Sequence, residues 1–155
     1  MTETIEIIIA TAANPELVEA LTRLMPQLGG NAPVPTAEEV REIVDSPSTT
    51  VLVARDQSDG GRIIGALFLI IFRIGTGVRA FIEDVVVESE ERGRGVGEAL
   101  SREALAIAAS RGAATVDLTS RPARGAANRL YQRIGFRRRE TNVYRYVFEE
   151  GDRDR

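Results

Sequence analysis

The chain of 155 residues contains no cysteine, no histidine and no tryptophan. The absence of cysteine excludes a thiol nucleophile and a disulfide framework, and without cysteine and histidine the usual zinc sites cannot form. The absence of histidine also excludes a serine–histidine triad and an imidazole base. Any chemistry must therefore rest on Asp, Glu, Tyr, Ser, Thr or Arg side chains, on backbone amides, or on a cofactor.

Strong charge of one sign, long apolar runs and a basic leader are missing as well. Lysine and arginine total 20 against 23 acidic residues, so the formal net charge is −3 and nucleic acid is not indicated as a partner. The longest apolar run, residues 63–72, is far shorter than the roughly 20 residues that cross a bilayer, so we expect no membrane partner. Because no basic segment precedes an apolar one at the N-terminus, a cytoplasmic location is the default expectation.

Length and composition bound the organisation of the chain. A hydrophobic fraction of 43% in 155 residues suffices for one domain with a real core. No shift in composition marks a linker. We therefore predict a single domain over residues 1–150, followed by a disordered charged tail over residues 151–155.

Helix signals occur at four places. Asn14 followed by Pro15 is typical of a helix start, and Thr36 with Glu39 predicts a capping box at the start of a second helix. Apolar residues recur at helical spacing in all four segments. The predicted helices lie in NPELVEALTRLM, TAEEVREIV, GVGEALSREALAIAASRG and AANRLYQRIG.

Segments rich in β-branched residues predict the strands. Short glycine-containing turns between the middle strands indicate hairpins, and the later helical crossovers indicate a parallel step. The order is β-α-α-β-β-β-α-β-α-β, which predicts an α+β fold with a mixed, mostly antiparallel central sheet and helices on both faces. The predicted strands are ETIEIIIA, TTVLVARD, RIIGALFLIIFRI, VRAFIEDVVVE and AATVDLTS, with one or two final strands in FRRRETNVYRYVFEE.

The junction VVVESEERGRGVGEAL carries more glycine and arginine than a turn needs. A strand leads into three glycines and two arginines, which lead into a helix whose first N–H groups have no intrahelical partner. This arrangement predicts an anion site that suits a pyrophosphate. A Walker loop is excluded because Glu98 follows Gly97, and the glycine spacing does not match a dinucleotide fingerprint. From the glycines alone, a plain helix start with surface arginines remains an alternative.

Two carboxylates precede this junction in FIEDVVV. Successive strand residues point to opposite faces, so Glu83 and Asp84 point one to each face of the sheet. The same parity places Glu83 on the side of Val85 and Val87. A solvated edge pair, or ion pairs with neighbouring arginines, is the alternative to a functional role.

Two motifs resemble the GNAT superfamily of N-acetyltransferases. Arg92-x-x-Gly95-x-Gly97 after a valine strand is similar to the acetyl-CoA pyrophosphate loop of that family, and AANRLYQRIGF is similar to its motif A-x-x-L-Y-x-x-x-G-F. The predicted element order matches the family over nearly the whole chain, and the IED of the fourth strand is similar to that strand in glucosamine-phosphate N-acetyltransferases. The second motif is matched by Ala127, Leu130, Tyr131, Gly135 and Phe136.

The resemblance implies acetyl-CoA as the cofactor, held between splayed fourth and fifth strands. Many family members carry Asn three residues before the motif alanine; this chain has Arg124 there, and Asn128, one turn further on, is the candidate substitute. The remaining cofactor-binding residues implied are Val85, Val86 and Val87 for the pantetheine arm, and Arg92, Gly93, Arg94, Gly95, Val96 and Gly97 for the pyrophosphate.

The resemblance also implies catalytic roles. Tyr131 matches the tyrosine that protonates the departing thiolate, a role that suits a phenol; a core aromatic is the alternative reading. With no histidine, a carboxylate must accept the proton of the amine, directly or through water. Glu83 ranks first because of its parity, and Asp84 second. A backbone N–H near Val85 would polarise the carbonyl, and no metal is expected.

The resemblance implies a primary amine as the acceptor, which we expect on a small molecule. The first two predicted helices and the loop GGNAPVPT should cover the acceptor cleft, and the segment RRRETNVYRY could add polar groups to it or be solvated. Open alternatives are a protein or peptide N-acetyltransferase and a CoA-binding regulatory module without turnover. A homodimer through the final hairpin or the edge strands is a further expectation. A nucleotide switch is disfavoured because no Mg²⁺-binding Ser or Thr follows the loop.

Overall fold

The computed structural model describes residues 4–149, which separate into two units between Arg121 and Pro122, residues 4–121 and residues 122–149. The tail predicted over residues 151–155 lies outside the described residues, so the predicted domain boundaries stay a prediction. The first unit contains β1 (Ile5–Ile9), α1 (Pro15–Leu24), α2 (Ala37–Asp45), β2 (Thr49–Asp56), β3 (Arg62–Ile74), β4 (Gly77–Val87), α3 (Val96–Ser110) and β5 (Val116–Asp117), and the second contains α4 (Gly125–Arg133).

The five strands form one mixed sheet in the order β1-β2-β3-β4-β5. The first four pair antiparallel with their neighbours, and β5 pairs parallel with β4. Gly60 and Gly61 adopt positive φ angles of 63° and 80° in the short turn between β2 and β3, which allows the chain to reverse tightly. The predicted α+β class with a mostly antiparallel sheet is confirmed.

Helices cover both faces of the sheet. Apolar residues of α1 and α2 form a core with Val53, Ala66 and Phe68 of β2 and β3. Gly65, the residue before Ala66 on β3, faces the opposite side of the sheet, where α3 lies. Among residues 4–149, no helix combines the length and the hydropathy that spanning a bilayer requires.

The predicted helix starts are confirmed at atomic detail. Asn14 accepts a hydrogen bond from the N–H of Leu17 at 2.9 Å, with Pro15 at the first helical position. Thr36 and Glu39 exchange the two hydrogen bonds of a capping box, at 3.2 and 3.0 Å. Local side-chain chemistry therefore determines where α1 and α2 begin.

The prediction of one or two final strands is wrong. Residues 136–149 carry neither helix nor strand, and Val143, Tyr144, Tyr146 and Val147 are 69–88% exposed. A strand requires a hydrogen-bonded neighbour, and α4, the other element described in this unit, offers no strand edge. The fifth strand is also shorter than predicted, with only two residues in the sheet.

Close packing of α3 on the sheet depends on Gly65. A Cβ atom there would lie 3.1 Å from Val96 Cγ1, 3.2 Å from Leu100 Cδ1 and 3.2 Å from the carbonyl oxygen of Val86. We expect Gly65→Ala to lower the free energy of unfolding by about 1–3 kcal/mol, because α3 must move outward. Chemical denaturation measures it, with Gly75→Ala, where nothing lies within 4 Å, as the control. Equal losses in both variants would contradict the packing argument.

Candidate functional site

A β-bulge interrupts β4 at the predicted acidic pair. Glu83 pairs with Phe68 and Val85 pairs with Leu67, so Asp84 is an extra residue with no partner on β3. Asp84 adopts φ of +46°, the one positive φ angle among the described residues other than glycine. Aspartate tolerates this left-handed conformation better than most residues, and bulges concentrate where a strand changes its neighbours.

The bulge overturns the parity predicted for Glu83. Phe68 and Leu67 are consecutive on β3 and point to opposite faces, so their partners Glu83 and Val85 do as well. Glu83 therefore shares the face of Phe68, which α1 and α2 cover, and does not share the face of Val85 and Val87. The alternation of side chains between the two faces of β4 failed as a guide, because one inserted residue moves every later side chain to the opposite face.

Beyond the bulge, β4 has an open edge. β5 pairs with β4 only at Ala80 and Phe81, and no other described strand joins that side. Glu88 donates its N–H to β3 at 2.8 Å, so the backbone groups of Val85 and Val87 face the open edge. This edge offers backbone donors and acceptors to an extended ligand, as an added strand would use them.

The glycine loop, residues 92–97, connects this edge to α3. Gly93 and Gly95 have φ angles of 83° and 79°. Gly95 is the N-cap of α3 and supplies no side-chain hydrogen bond, so the first N–H groups of the 15-residue helix have no capping side chain. The helix dipole adds positive potential at the same point. The start of α3 thus presents backbone N–H groups that have no partner within the helix.

The two arginines of the loop differ in their surroundings. Arg92 is exposed, and its Nε–H donates to the carbonyl oxygen of Val87 over 3.4 Å. The guanidinium of Arg94 is instead bound by the carboxylates of Asp56, at 2.9 Å, and Glu91. The side chain of Arg94 was predicted to reinforce phosphate binding, but the structure pairs it with acids of this chain.

Asp56, at the end of β2, is a buried carboxylate that the sequence reasoning missed. Its side chain accepts hydrogen bonds from the N–H and hydroxyl of Ser58, at 3.0 and 2.6 Å. Hydrogen bonds from Ser58 and then from Arg94 lower the pKa of Asp56 to about 2. The carboxylate is therefore ionised at neutral pH and holds Arg94 firmly.

A second buried carboxylate, Glu88, lies where β4 ends. It binds Arg23 and accepts a hydrogen bond from the side-chain amide of Gln27 at 2.9 Å, and Gln27 in turn accepts the N–H of Ser89 at 2.8 Å. Burial raises the pKa of Glu88, but the hydrogen bonds from Gln27 and Arg23 outweigh it, so the pKa is lowered overall. This cluster ties the chain between β4 and the loop to α1 and the 3₁₀ turn after it.

The second unit holds the other predicted residues on α4 and the segment after it. Tyr131 is half-buried, and its ring contacts Phe136 edge-on at a centroid distance of 5.7 Å. Burial raises the pKa of Tyr131, while the charge of Arg124 partly opposes the increase. The hydroxyl of Tyr131 therefore stays protonated at neutral pH. Asn128 lies within α4 and donates its backbone N–H to the carbonyl oxygen of Arg124 at 3.0 Å.

The polar segment after α4 is exposed. Residues 138–142 border an open pocket of about 590 Å³. Tyr144 is 88% exposed. Among residues 4–149, no three Asp or Glu side chains converge to hold a metal ion.

Comparisons with known proteins agree with this geometry. The model of the acetyltransferase (GNAT) family matches residues 15–136. No curated protein sequence matches the chain. An acetyltransferase from Trypanosoma brucei is 27% identical, with a TM-score of 0.74 over 92% of this chain and 99% of its own.

Two further solved structures share the fold at lower identity. Glucosamine-6-phosphate N-acetyltransferase from Arabidopsis thaliana is 22% identical, with a TM-score of 0.76 over 94% of this chain and 100% of its own. An aminoglycoside acetyltransferase from an uncultured soil sample, in complex with sisomicin, is 18% identical, with a TM-score of 0.80 over 95% of this chain and 97% of its own. Because the family match spans most of the chain and includes both motifs, this protein belongs to the GNAT family of acetyltransferases.

Proposed function

We propose that this protein is an N-acetyltransferase that moves the acetyl group of acetyl-CoA to a primary amine on a small molecule. The observation that carries the proposal is the bulged, open-edged β4 that leads directly into the glycine loop at the start of α3. An extended arm ending in a pyrophosphate fits such an edge followed by such a loop. Membership of the family supports the same cofactor.

The residues present suit coenzyme A. Val85 and Val87 direct backbone groups to the open edge, where the amides of a pantetheine arm would pair. The N–H groups that open α3 and the exposed Arg92 would hold the pyrophosphate. When bound, acetyl-CoA supplies the activated thioester. The backbone N–H of Val85 would then polarise the thioester carbonyl.

Proton transfer falls to two side chains. Glu83 would accept, directly or through water, the proton that the ammonium must lose before its nitrogen bonds to the acetyl carbon. The bulge removes the parity argument that ranked Glu83 first. Its exposed position on the sheet face of Phe68, which α1 and α2 cover, supports the role instead, since the resemblance implies that these helices cover the acceptor. As the carbon–sulfur bond breaks, Tyr131 would donate its proton to the thiolate. Its raised pKa keeps that proton available at neutral pH.

The substrate class is argued from chemistry and from the similar structures. Two of these bear names that specify small aminated sugars as substrates. The exposed run Arg137, Arg138 and Arg139 favours an anionic group, such as a phosphate, on the acceptor. An amino sugar phosphate is therefore the first compound to test. A homodimer and a cytoplasmic location stay predictions.

Release of free thiol from acetyl-CoA across a panel of amines tests the function. The panel contains glucosamine 6-phosphate, aminoglycosides, polyamines, amino acids and lysine peptides, each with and without protein. Turnover of a small amine supports the proposal, while turnover of peptides alone supports a protein acetyltransferase. Silence across the panel together with measurable CoA binding supports a regulatory module. Absence of CoA binding overturns the proposal altogether.

The base assignment predicts a specific defect. Glu83→Gln should lower kcat/KM for the amine by about 10²-fold at neutral pH, because no carboxylate then accepts the ammonium proton. The defect should shrink at higher pH, where solvent deprotonates the amine. Asp84→Asn is the control, since asparagine keeps the left-handed backbone of the bulge without the charge. A defect larger in Asp84→Asn than in Glu83→Gln would reassign the base.

A further inference from the structure

The glycine loop is attached to the rest of the first unit on both sides. On the strand side, Gln27 holds Glu88 and the N–H of Ser89. On the helix side, Arg94 reaches Asp56 at the far end of β2. The flexible glycines therefore lie between two polar anchors, each containing a buried acid.

The anchor on the helix side determines what Arg94 can do. The side chain of Asp56 is 5% exposed, whereas the side chain of Arg94 is 33% exposed. Arg94 binds Glu91 with the same Nη1, and its Nη2 lies 3.5 Å from the hydroxyl of Thr4. Two carboxylates thus already neutralise its charge, and its bonds span β2, the loop and the start of the chain.

Removing Arg94 from this position would be costly. A phosphate that recruited the guanidinium would leave Asp56 as a buried carboxylate without its cation, and breaking such a pair is strongly unfavourable. Retaining the pair instead fixes the backbone between Gly93 and Gly95, whose φ angles are positive and whose N–H groups would bind the pyrophosphate. A loop held in place before binding loses less conformational freedom when the ligand arrives.

We propose that Asp56 is a positioning residue for the cofactor loop, acting through Arg94, and that the side chain of Arg94 is an anchor rather than a phosphate ligand. This inference rests on the proposed function, since it concerns the same CoA site. It assigns a role to a residue of β2 that lies outside both family motifs. It also separates the two loop arginines, leaving only Arg92 to supply free charge.

Calorimetry of coenzyme A binding to Asp56→Asn tests the proposal. The affinity should fall if Asp56 anchors the loop, but not if Arg94 is a phosphate ligand. If Asp56 anchors the loop, its loss weakens CoA binding by about tenfold, raises KM for acetyl-CoA, and leaves kcat at saturation unchanged. If Arg94 is a phosphate ligand, freeing it from Asp56 leaves the affinity unchanged or increases it, and the proposal is overturned. Asp59→Asn removes the same charge from the neighbouring turn and should bind like the original protein.

A second pair of variants decides the matter even if Asp56→Asn does not fold. Arg94→Gln should weaken CoA binding by about tenfold without changing its dependence on salt, because the charge it removes is already paired. Arg92→Gln should reduce the salt dependence. Equal reductions in both variants would make Arg94 a phosphate ligand and reject the proposal. Arg94→Lys should restore part of the affinity, since a lysine can still reach one carboxylate.

Failure of the inference is distinguishable from failure of the proposed function. If the unchanged protein does not bind coenzyme A, the proposed function is wrong and the anchor has no ligand to position. If the unchanged protein binds and the Asp56→Asn and Arg94→Gln variants bind equally well, only the anchor is rejected. Circular dichroism and thermal unfolding of each variant establish that folded protein is being compared.

Discussion

Replacing Gly95 by glutamate is expected to abolish coenzyme A binding, with a loss of at least about 10²-fold in affinity. Gly95 has a φ of 79° and is the N-cap of α3. A side chain in this left-handed conformation costs roughly 1–2 kcal/mol, and this one also fills the space in front of the helix N–H groups. Its carboxylate would repel a pyrophosphate at the point where the helix dipole attracts one. Calorimetry with coenzyme A measures the loss.

Two controls separate the causes of this effect. Gly95→Ala introduces the backbone strain without the charge and should weaken binding less. Gly75→Glu adds the same charged side chain at an exposed turn where nothing lies within 4 Å, and it should bind normally. Near-normal binding by folded Gly95→Glu would show that the loop is not the pyrophosphate site.

Tyr131→Phe should lower kcat by about 10²–10³-fold while leaving the affinity for coenzyme A within about twofold. The substitution removes only the hydroxyl and keeps the ring that contacts Phe136, so the local packing is preserved. Without the phenol, the departing thiolate must take its proton from water. Steady-state kinetics with the amine found in the panel, together with calorimetry, measures both quantities.

The pH profile adds an independent check on Tyr131. Burial raises the pKa of Tyr131 above its ordinary value, so the phenol keeps its proton at neutral pH. If kcat fell as the pH rose just above neutrality, and this fall were absent in Tyr131→Phe, the pKa of Tyr131 would be lowered and not raised. Tyr144→Phe, at a residue 88% exposed, is the matched control and should retain full activity. Unchanged kcat in Tyr131→Phe would remove the residue from the mechanism.

Much of the fold followed from local patterns. The strands predicted from TTVLVARD and RIIGALFLIIFRI have the same bounds as β2 and β3. Both helix caps formed as Asn14 and Thr36 predicted. These features depend on residues only a few positions apart, so the local sequence is sufficient to predict them.

The errors have a common origin in contacts between distant residues. The bulge at Asp84 arises from register with β3, and it reversed the side assigned to Glu83. The pairing of Arg94 with Asp56 was missed because Asp56 lies 38 positions earlier in the chain. The segment after α4 alternates as a strand would, yet alternation supplies no hydrogen-bonding neighbour.

The amino-acid sequence by itself determined the family, the glycine loop and the candidate proton donor, because these depend on residue types at short, fixed spacings. The tertiary structure alone decided which face Glu83 occupies, which edge of β4 stays open, and that Arg94 is bound by Asp56. Strand register and ion pairing depend on which distant segments meet, and no short stretch of sequence contains that information.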